Sequence, residues 1–234
     1  MNNINEFVNV LREKPFIKTL IEECDADVYI VGGVVRDLIM GYSNKDVDIV
    51  IRRVNTGELI DCLSRIGKVN LVGKSFGVIK FTTDDFVEYD IALPRKERTN
   101  GLGGYHGFDI QSDSTMDIRE DLIRRDVKFN AMAININTGD FIDPLNGLND
   151  INNSIVSAAN LDVFSDDPLR MLRIISFASR FKFDIDSDTL DMVVMYANRI
   201  KEIPSERILI EFDKIVRKGD VFIAADLLKR TGLL

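Results

Sequence analysis

The stretch that most constrains this chain is VYIVGGVVRDLIMGYSNKDVDIVI, from Val28 to Ile51. An apolar run, Val28–Val31, has the length and β-branched content of a buried strand. It breaks at Gly32 and Gly33 and continues as a helix-like stretch, Val34–Met40, that stops at Gly41, a residue suited to a left-handed helix end. The segment "DVDIVIRRV" then alternates as a strand. A strand, a two-glycine turn, a short helix and a second strand make a compact unit that needs a sheet to pack against. The rest of the chain must supply it.

The following residues do so. A helix over 4–24 precedes the first strand, and "TGELIDCLSRIG" reads as a helix with Thr56 as N-cap candidate and an end at Gly67. "KVNLVG", "FGVIKFTT" and "FVEYDIAL" are strand-like runs separated by Gly or Asp turns. The order β-α-β-α-β-β-β predicts a mixed α/β sheet. "RKERTNGLGGYHGFDIQSDSTM" is polar and glycine-rich, with Gly101, Gly103, Gly104 and the single histidine, His106, and reads as a mobile loop over 95–117. "IREDLIRRDVKFNAMAIN" is a helix running into a strand, and "NTGDFIDPLNG" a hairpin and turn. From Asp166 onward every segment reads as helix: "DPLRMLRIISFASRF" opens with acid and Pro168, and "SERILIEFDKIV" with a Ser205 cap. The composition change near 150 predicts an α/β head over 1–150 and an all-helical neck over 151–234.

Composition narrows the function classes. The 234 residues are 45% hydrophobic and 29% charged, with two cysteines and a net charge of −8. No apolar run reaches membrane-spanning length, the N-terminus lacks the pattern of a secretory signal, and the expected compartment is the cytoplasm. Cys24 and Cys62 predict neither a disulfide framework nor a zinc site, and one histidine argues against Ser-His-Asp chemistry. The acidic balance leaves no basic field over the whole molecule, so any nucleic-acid contact rests on local basic patches or on another chain.

The chemistry concentrates in the opening unit. Residues i and i+2 of a strand share a face, so Asp46 and Asp48 stand together while Val47, Ile49 and Ile51 turn to the core. Two adjacent carboxylates repel unless a cation lies between them, and Mg²⁺ is commonly held by one or two carboxylates and substrate phosphates. The same pattern fits a solvated edge strand. Gly32, Gly33 and the helix after them have the character of a phosphate cradle, with Arg36 as an added charge, although a tight turn without ligand has the same sequence. Together the two features point to a triphosphate bound through Mg²⁺, hence phosphoryl or nucleotidyl transfer. Farther on, Asp167 and Arg170 are three residues apart and can share a helical face. A carboxylate beside a planar donor fork can read the Watson–Crick edge of C or A, and an ordinary surface ion pair is the alternative. Asp90, with Glu88 on the same strand face, is a candidate third carboxylate.

"VGGVVRDLIMGYSNKDVDIVI" resembles the signature of the class II tRNA nucleotidyltransferases, or CCA-adding enzymes, and the bacterial poly(A) polymerases: GG-x-VRD, a spacer ending in Gly, then D-x-D. "GKSFGVIKF", "EDLIRRDVKFNAMAIN", "FIDPLNGLNDI", "DDPLRMLRIISFASRF" and "SERILIEFDKI" are similar to further motifs of that family in the same order, over roughly 28–218. The resemblance implies a nucleotidyltransferase-type head and a helical neck that add CMP and AMP from CTP and ATP to the 3′ end of tRNA with two Mg²⁺ ions. It assigns the metal to Asp46 and Asp48, phosphate contacts to Gly32, Gly33 and Arg36, and nucleotide contacts to Arg125, with Asp126 and Asn130 at the sugar. Asp167 and Arg170 would face the base, Arg173 would help hold the nucleotide, and Asp90 would support the metal pair or the primer hydroxyl. In the family the glycine-rich loop affects the switch from C to A. Asp166 stands where the family often has Glu, and "VKF" replaces a more usual "FTI"-type run. Family members usually continue beyond "LLKRTGLL" into helical regions that grip tRNA. Poly(A) addition, addition of C or A alone, and a nucleotide- or RNA-binding module without catalysis are the competing readings.

Overall fold

A computed structural model describes residues 2–43, 46–72, 77–99, 108–160 and 162–234. The chain forms two compact units that interleave along the sequence. The first comprises residues 1–97, 110–122 and 132–144, and the second 98–109, 123–131 and 145–234.

The first unit contains helices α1 (Asn2–Arg12) and α2 (Pro15–Glu22), strand β1 (Asp27–Val31), α3 (Gly33–Ile39), β2 (Asp48–Arg52), α4 (Thr56–Ser64), β3 (Lys68–Val72), β4 (Val78–Thr82) and β5 (Glu88–Ala92). The single helix expected over 4–24 is two, because Pro15 has no N–H to continue the first and instead occupies the first position of the second. In α4 the cap is Asn55, not Thr56: its side chain accepts from the Glu58 N–H, and the Glu58 carboxylate accepts from the Asn55 N–H.

Strands β6 (Arg95–Thr99) and β7 (Phe108–Ser112) pair as a two-stranded sheet. Much of the stretch expected to be a loop is therefore a ribbon. Gly101, Gly103, Gly104 and His106 lie outside the described residues. After α5 (Ile118–Ile123) come β8 (Ala133–Asn135) and β9 (Phe141–Ile142), the expected hairpin.

The main sheet has seven strands in the order β3-β4-β5-β2-β1-β8-β9. Its β2–β5 pair is parallel and the other pairs are antiparallel, so the sheet is mixed, as the sequence predicts. The central strands are apolar on both faces: Val28, Ile30, Ile49, Val50, Ile51 and Ile91 are buried. Each such side chain stabilises by about 1.5–3 kcal/mol through burial. Phe16 of α2 packs on Phe81 and Tyr89, with ring centroids 5.3 and 4.6 Å apart. Cys24 and Cys62 form a disulfide, contrary to expectation; their separation of 38 residues concealed a proximity created by α2 and α4.

The second unit is mainly helical. It contains α6 (Gly147–Asn153), α7 (Val163–Asp166), α8 (Leu169–Phe181), α9 (Ser187–Tyr196), α10 (Ser205–Lys218) and α11 (Val221–Thr231). Two short strands, β10 (Ile155–Val156) and β11 (Asp184–Ile185), pair in parallel, so the region after Asp166 is not wholly helical. Ser205 is the first residue of α10 and makes no side-chain cap; Pro204 precedes it. Phe129, Phe164, Leu172, Ile174 and Ile175 are buried, and the Phe129 ring meets Phe177 edge-on at 5.5 Å.

Candidate functional site

In the first unit, β1 leads straight into the Gly32–Gly33 turn. Gly32 has φ +74°, a left-handed value that favours a residue without Cβ. Its N–H donates to the Met132 carbonyl at 3.0 Å, which anchors the turn to the neighbouring chain segment. Arg36 does not project into solvent. It is 4% exposed and its Nη2 lies 2.6 Å from the carboxylate of Asp37, itself buried. The guanidinium sits beneath Gly33, where a Cβ would come 3.5 Å from it. The turn thus rests on a buried ion pair, with the Gly32 N–H bonded to Met132 and the Gly32 carbonyl accepting from the Arg36 N–H.

Asp46 and Asp48 are both exposed. The ladder begins at Asp48, so Asp46 lies two residues ahead of β2 and not within it as the alternation predicts. Beyond Asp48 the strand is buried at Ile49, Val50 and Ile51, which confines the carboxylates to its open start. Asp48 is the Cα partner of Asp90 on parallel β5, and Asp90 is the partner of Lys80 on β4. Lys80 Nζ donates to Asp90 Oδ1 at 3.0 Å. The sequence alone does not single out Lys80; a cross-strand partner ten residues away is visible only once register is known.

Hard carboxylate oxygens at the open end of a strand suit Mg²⁺. Among the described residues, no group of three or more His, Cys, Asp or Glu side chains is arranged to hold an ion. Asp46 and Asp48 offer exposed oxygens of that kind, while Asp90 is engaged by Lys80.

The second unit holds the other candidates. Asp126 is buried. Its Oδ1 accepts from the Val127 N–H at 2.9 Å and Asn130 Nδ2 at 3.2 Å, and its Oδ2 accepts from Arg173 Nε at 2.8 Å. Burial pushes its pKa up, but the Arg173 charge and these hydrogen bonds outweigh burial and hold it at about 2. Asp126 and Asn130 thus form a clamp that orients Arg173, whose guanidinium also lies 5.5 Å from the Phe177 ring centroid.

Asp167 and Arg170 do not lie on one helix. Asp167 closes α7 in an extended conformation, ahead of α8. One of its oxygens accepts from the Leu169 N–H at 3.2 Å and the other from Arg207 Nη2 at 2.7 Å. Arg170 Nη1 donates to the Arg124 carbonyl at 3.1 Å. Each side chain is oriented by a separate partner. Arg207, on α10 within "SERILIEF", is the residue that sequence reading missed; its pairing partner is 40 residues away. Gly147 lets α6 approach the backbone at Lys128, since a Cβ there would collide with it, and this braces the segment carrying Asn130.

The fold is that of a nucleotidyltransferase: a mixed sheet with an acidic strand start beside a two-glycine turn, and a helical region carrying ordered arginines. The family described as "Poly A polymerase head domain" matches residues 28–157, and one described as "Probable RNA and SrmB- binding site of polymerase A" matches 182–234. The chain belongs to the poly A polymerase head domain family.

Among its relatives is a protein named "Multifunctional CCA protein" from Acinetobacter baumannii (strain SDF), 34% identical over 212 residues, which are 88% of this chain and 49% of the relative. A Bacillus stearothermophilus CCA-adding enzyme solved in complex with CTP superposes with a TM-score of 0.81 at 27% identity, over 100% of this chain and 53% of that one. A Thermotoga maritima CCA-adding enzyme complexed with tRNA gives 0.78 at 26%, over 99% and 54%. The chain spans about half the length of the relatives it matches. No helix among the described residues is long and apolar enough to cross a membrane.

Proposed function

We propose that this chain is a template-independent nucleotidyltransferase that adds CMP and AMP from CTP and ATP to the 3′ end of tRNA. The observation that carries the proposal is the exposed pair Asp46 and Asp48 at the open start of β2, in a unit whose sheet also carries the Gly32–Gly33 turn. Relatives named for CCA addition, one solved with CTP and one with tRNA, support the substrate class. We assign residues 1–150 to catalysis and 151–234 to base recognition, and place the reaction in the cytoplasm.

In this reading the tRNA 3′-hydroxyl attacks the α-phosphate of the bound nucleotide and pyrophosphate leaves. Two Mg²⁺ ions held by Asp46 and Asp48 would lower the pKa of the attacking hydroxyl and neutralise charge on the triphosphate. The glycine turn at Gly32 and Gly33 lets the phosphates approach closely, and the buried Arg36–Asp37 pair keeps that turn in shape. Arg125 binds the nucleotide. Asp126 and Asn130 act on it by fixing Arg173. Asp167, steadied by Arg207, accepts from the base, and Arg170 donates to it, a combination that both C and A can satisfy. Asp90 supports the acidic face from the adjacent strand.

Incubating the protein with tRNA lacking its 3′ end, CTP, ATP and Mg²⁺ tests this. The expected product on a sequencing gel is extended by C, C and A and stops there. A long run of A, or extension with one nucleotide type alone, identifies the poly(A) or partial-addition reading. No extension, with CTP still bound, identifies a binding module.

A further inference from the structure

The sheet of the first unit carries a lysine that the proposed reaction does not use. Lys80, Asp90 and Asp48 are register partners on three adjacent strands, so they form one row on one face. The next row, Ile79, Ile91 and Ile49, is buried on the other side. On β3 the partner of Lys80 is Asn70, which is uncharged. Lys80 is therefore the cation of this row. Its ammonium is bonded to Asp90, and the charges of Glu88 and Asp46 also act on it.

Stability does not explain the pair. Lys80 and Asp90 are 41% and 43% exposed, and exposed pairs contribute little. Charge placement does. A fixed positive charge on Asp90 keeps that carboxylate from turning to a cation at Asp48, and it lowers the attraction of the whole face for divalent ions.

We propose that Lys80 is a positioning residue that keeps Asp90 out of the metal set, so that the acidic face holds divalent cations loosely until a triphosphate supplies the missing oxygens. The inference rests on the nucleotidyl-transfer reading of Asp46 and Asp48. It makes a prediction opposite to that for a lysine serving only the sheet: removing the charge tightens metal binding in the nucleotide-free protein.

Titrating Mn²⁺ into the whole chain, with free Mn²⁺ followed by electron paramagnetic resonance, tests it. Wild-type, Asp48→Asn, Lys80→Met and Lys80→Arg proteins are compared at one pH and salt, after thermal unfolding has verified each fold. Lys80→Met is expected to bind Mn²⁺ about three- to tenfold tighter than wild type, the scale of one charge acting through a solvated surface. Lys80→Arg, which keeps the charge, is expected to stay within about twofold. Unchanged or weaker binding by Lys80→Met overturns the role of Lys80 while leaving the metal pair standing. Wild-type binding that is absent even with CTP added, or that survives Asp48→Asn unchanged, overturns the metal pair and this inference with it.

Discussion

The two units use aspartate in opposite ways. In the first, Asp46 and Asp48 are exposed at the start of a strand whose next residues are buried. In the second, Asp126 is buried and locked to Arg173, and Asp167 is largely buried and held by Arg207. An exposed carboxylate keeps much of its hydration, so its charge costs the fold little. Buried ones must be compensated within the fold, here by the arginines paired with them. The same residue type is thus exposed in one unit and compensated by arginine in the other, and under the proposed function the two should separate when activity and stability are measured on one set of variants.

The largest expected effect is on turnover. Asp48→Asn should lower incorporation of labelled CTP by about 10²- to 10³-fold or more, the scale of losing a charge-stabilising group. Its unfolding free energy should stay within about 0.5 kcal/mol of wild type, as for other surface changes. Next, Arg173→Ala should destabilise by about 3–5 kcal/mol in urea unfolding, because it leaves the Asp126 carboxylate buried without its cation. A loss below about 1 kcal/mol would erase the contrast between the units.

A pH titration sharpens it further. Asp126 has a folded pKa of about 2, depressed from the 3.8 of an unperturbed aspartate. Its contribution, about 2 kcal/mol, is fully present above pH ~4 and is lost as pH falls from there through ~2. Asp126→Asn should remove that segment of the acid-stability curve, and Asp48→Asn should leave it in place. The smallest effect concerns Asp150, buried on α6, whose pKa is raised mainly by burial. Its charged form opposes folding as pH rises, so Asp150→Asn should be neutral or stabilising by up to about 1 kcal/mol at pH 7, read by thermal unfolding.

Much of this was legible in the sequence. Val28–Ile51 displays its own strand, turn, helix and strand because apolar runs, paired glycines and the left-handed Gly41 are local signals. The mixed sheet followed from strand order. Less legible was anything set by register or by packing between distant segments. Asp46 falls outside the ladder because pairing with β1 and β5 starts later than the alternation does. The β6–β7 ribbon was hidden by the polar, glycine-rich composition of its connection. Arg207 and Lys80 were invisible as partners because their acids lie 40 and 10 residues away. Local composition announced which residues were charged; only the fold decided which of those charges were already compensated.

The division of labour is tested most directly by crystals soaked with Mn²⁺ and a non-hydrolysable CTP analogue, with the metal located by its anomalous scattering. The account predicts peaks at the Asp46 and Asp48 carboxylates and none at Asp126 or Asp167. Manganese on either buried aspartate, or none within coordination distance of Asp48, would contradict it.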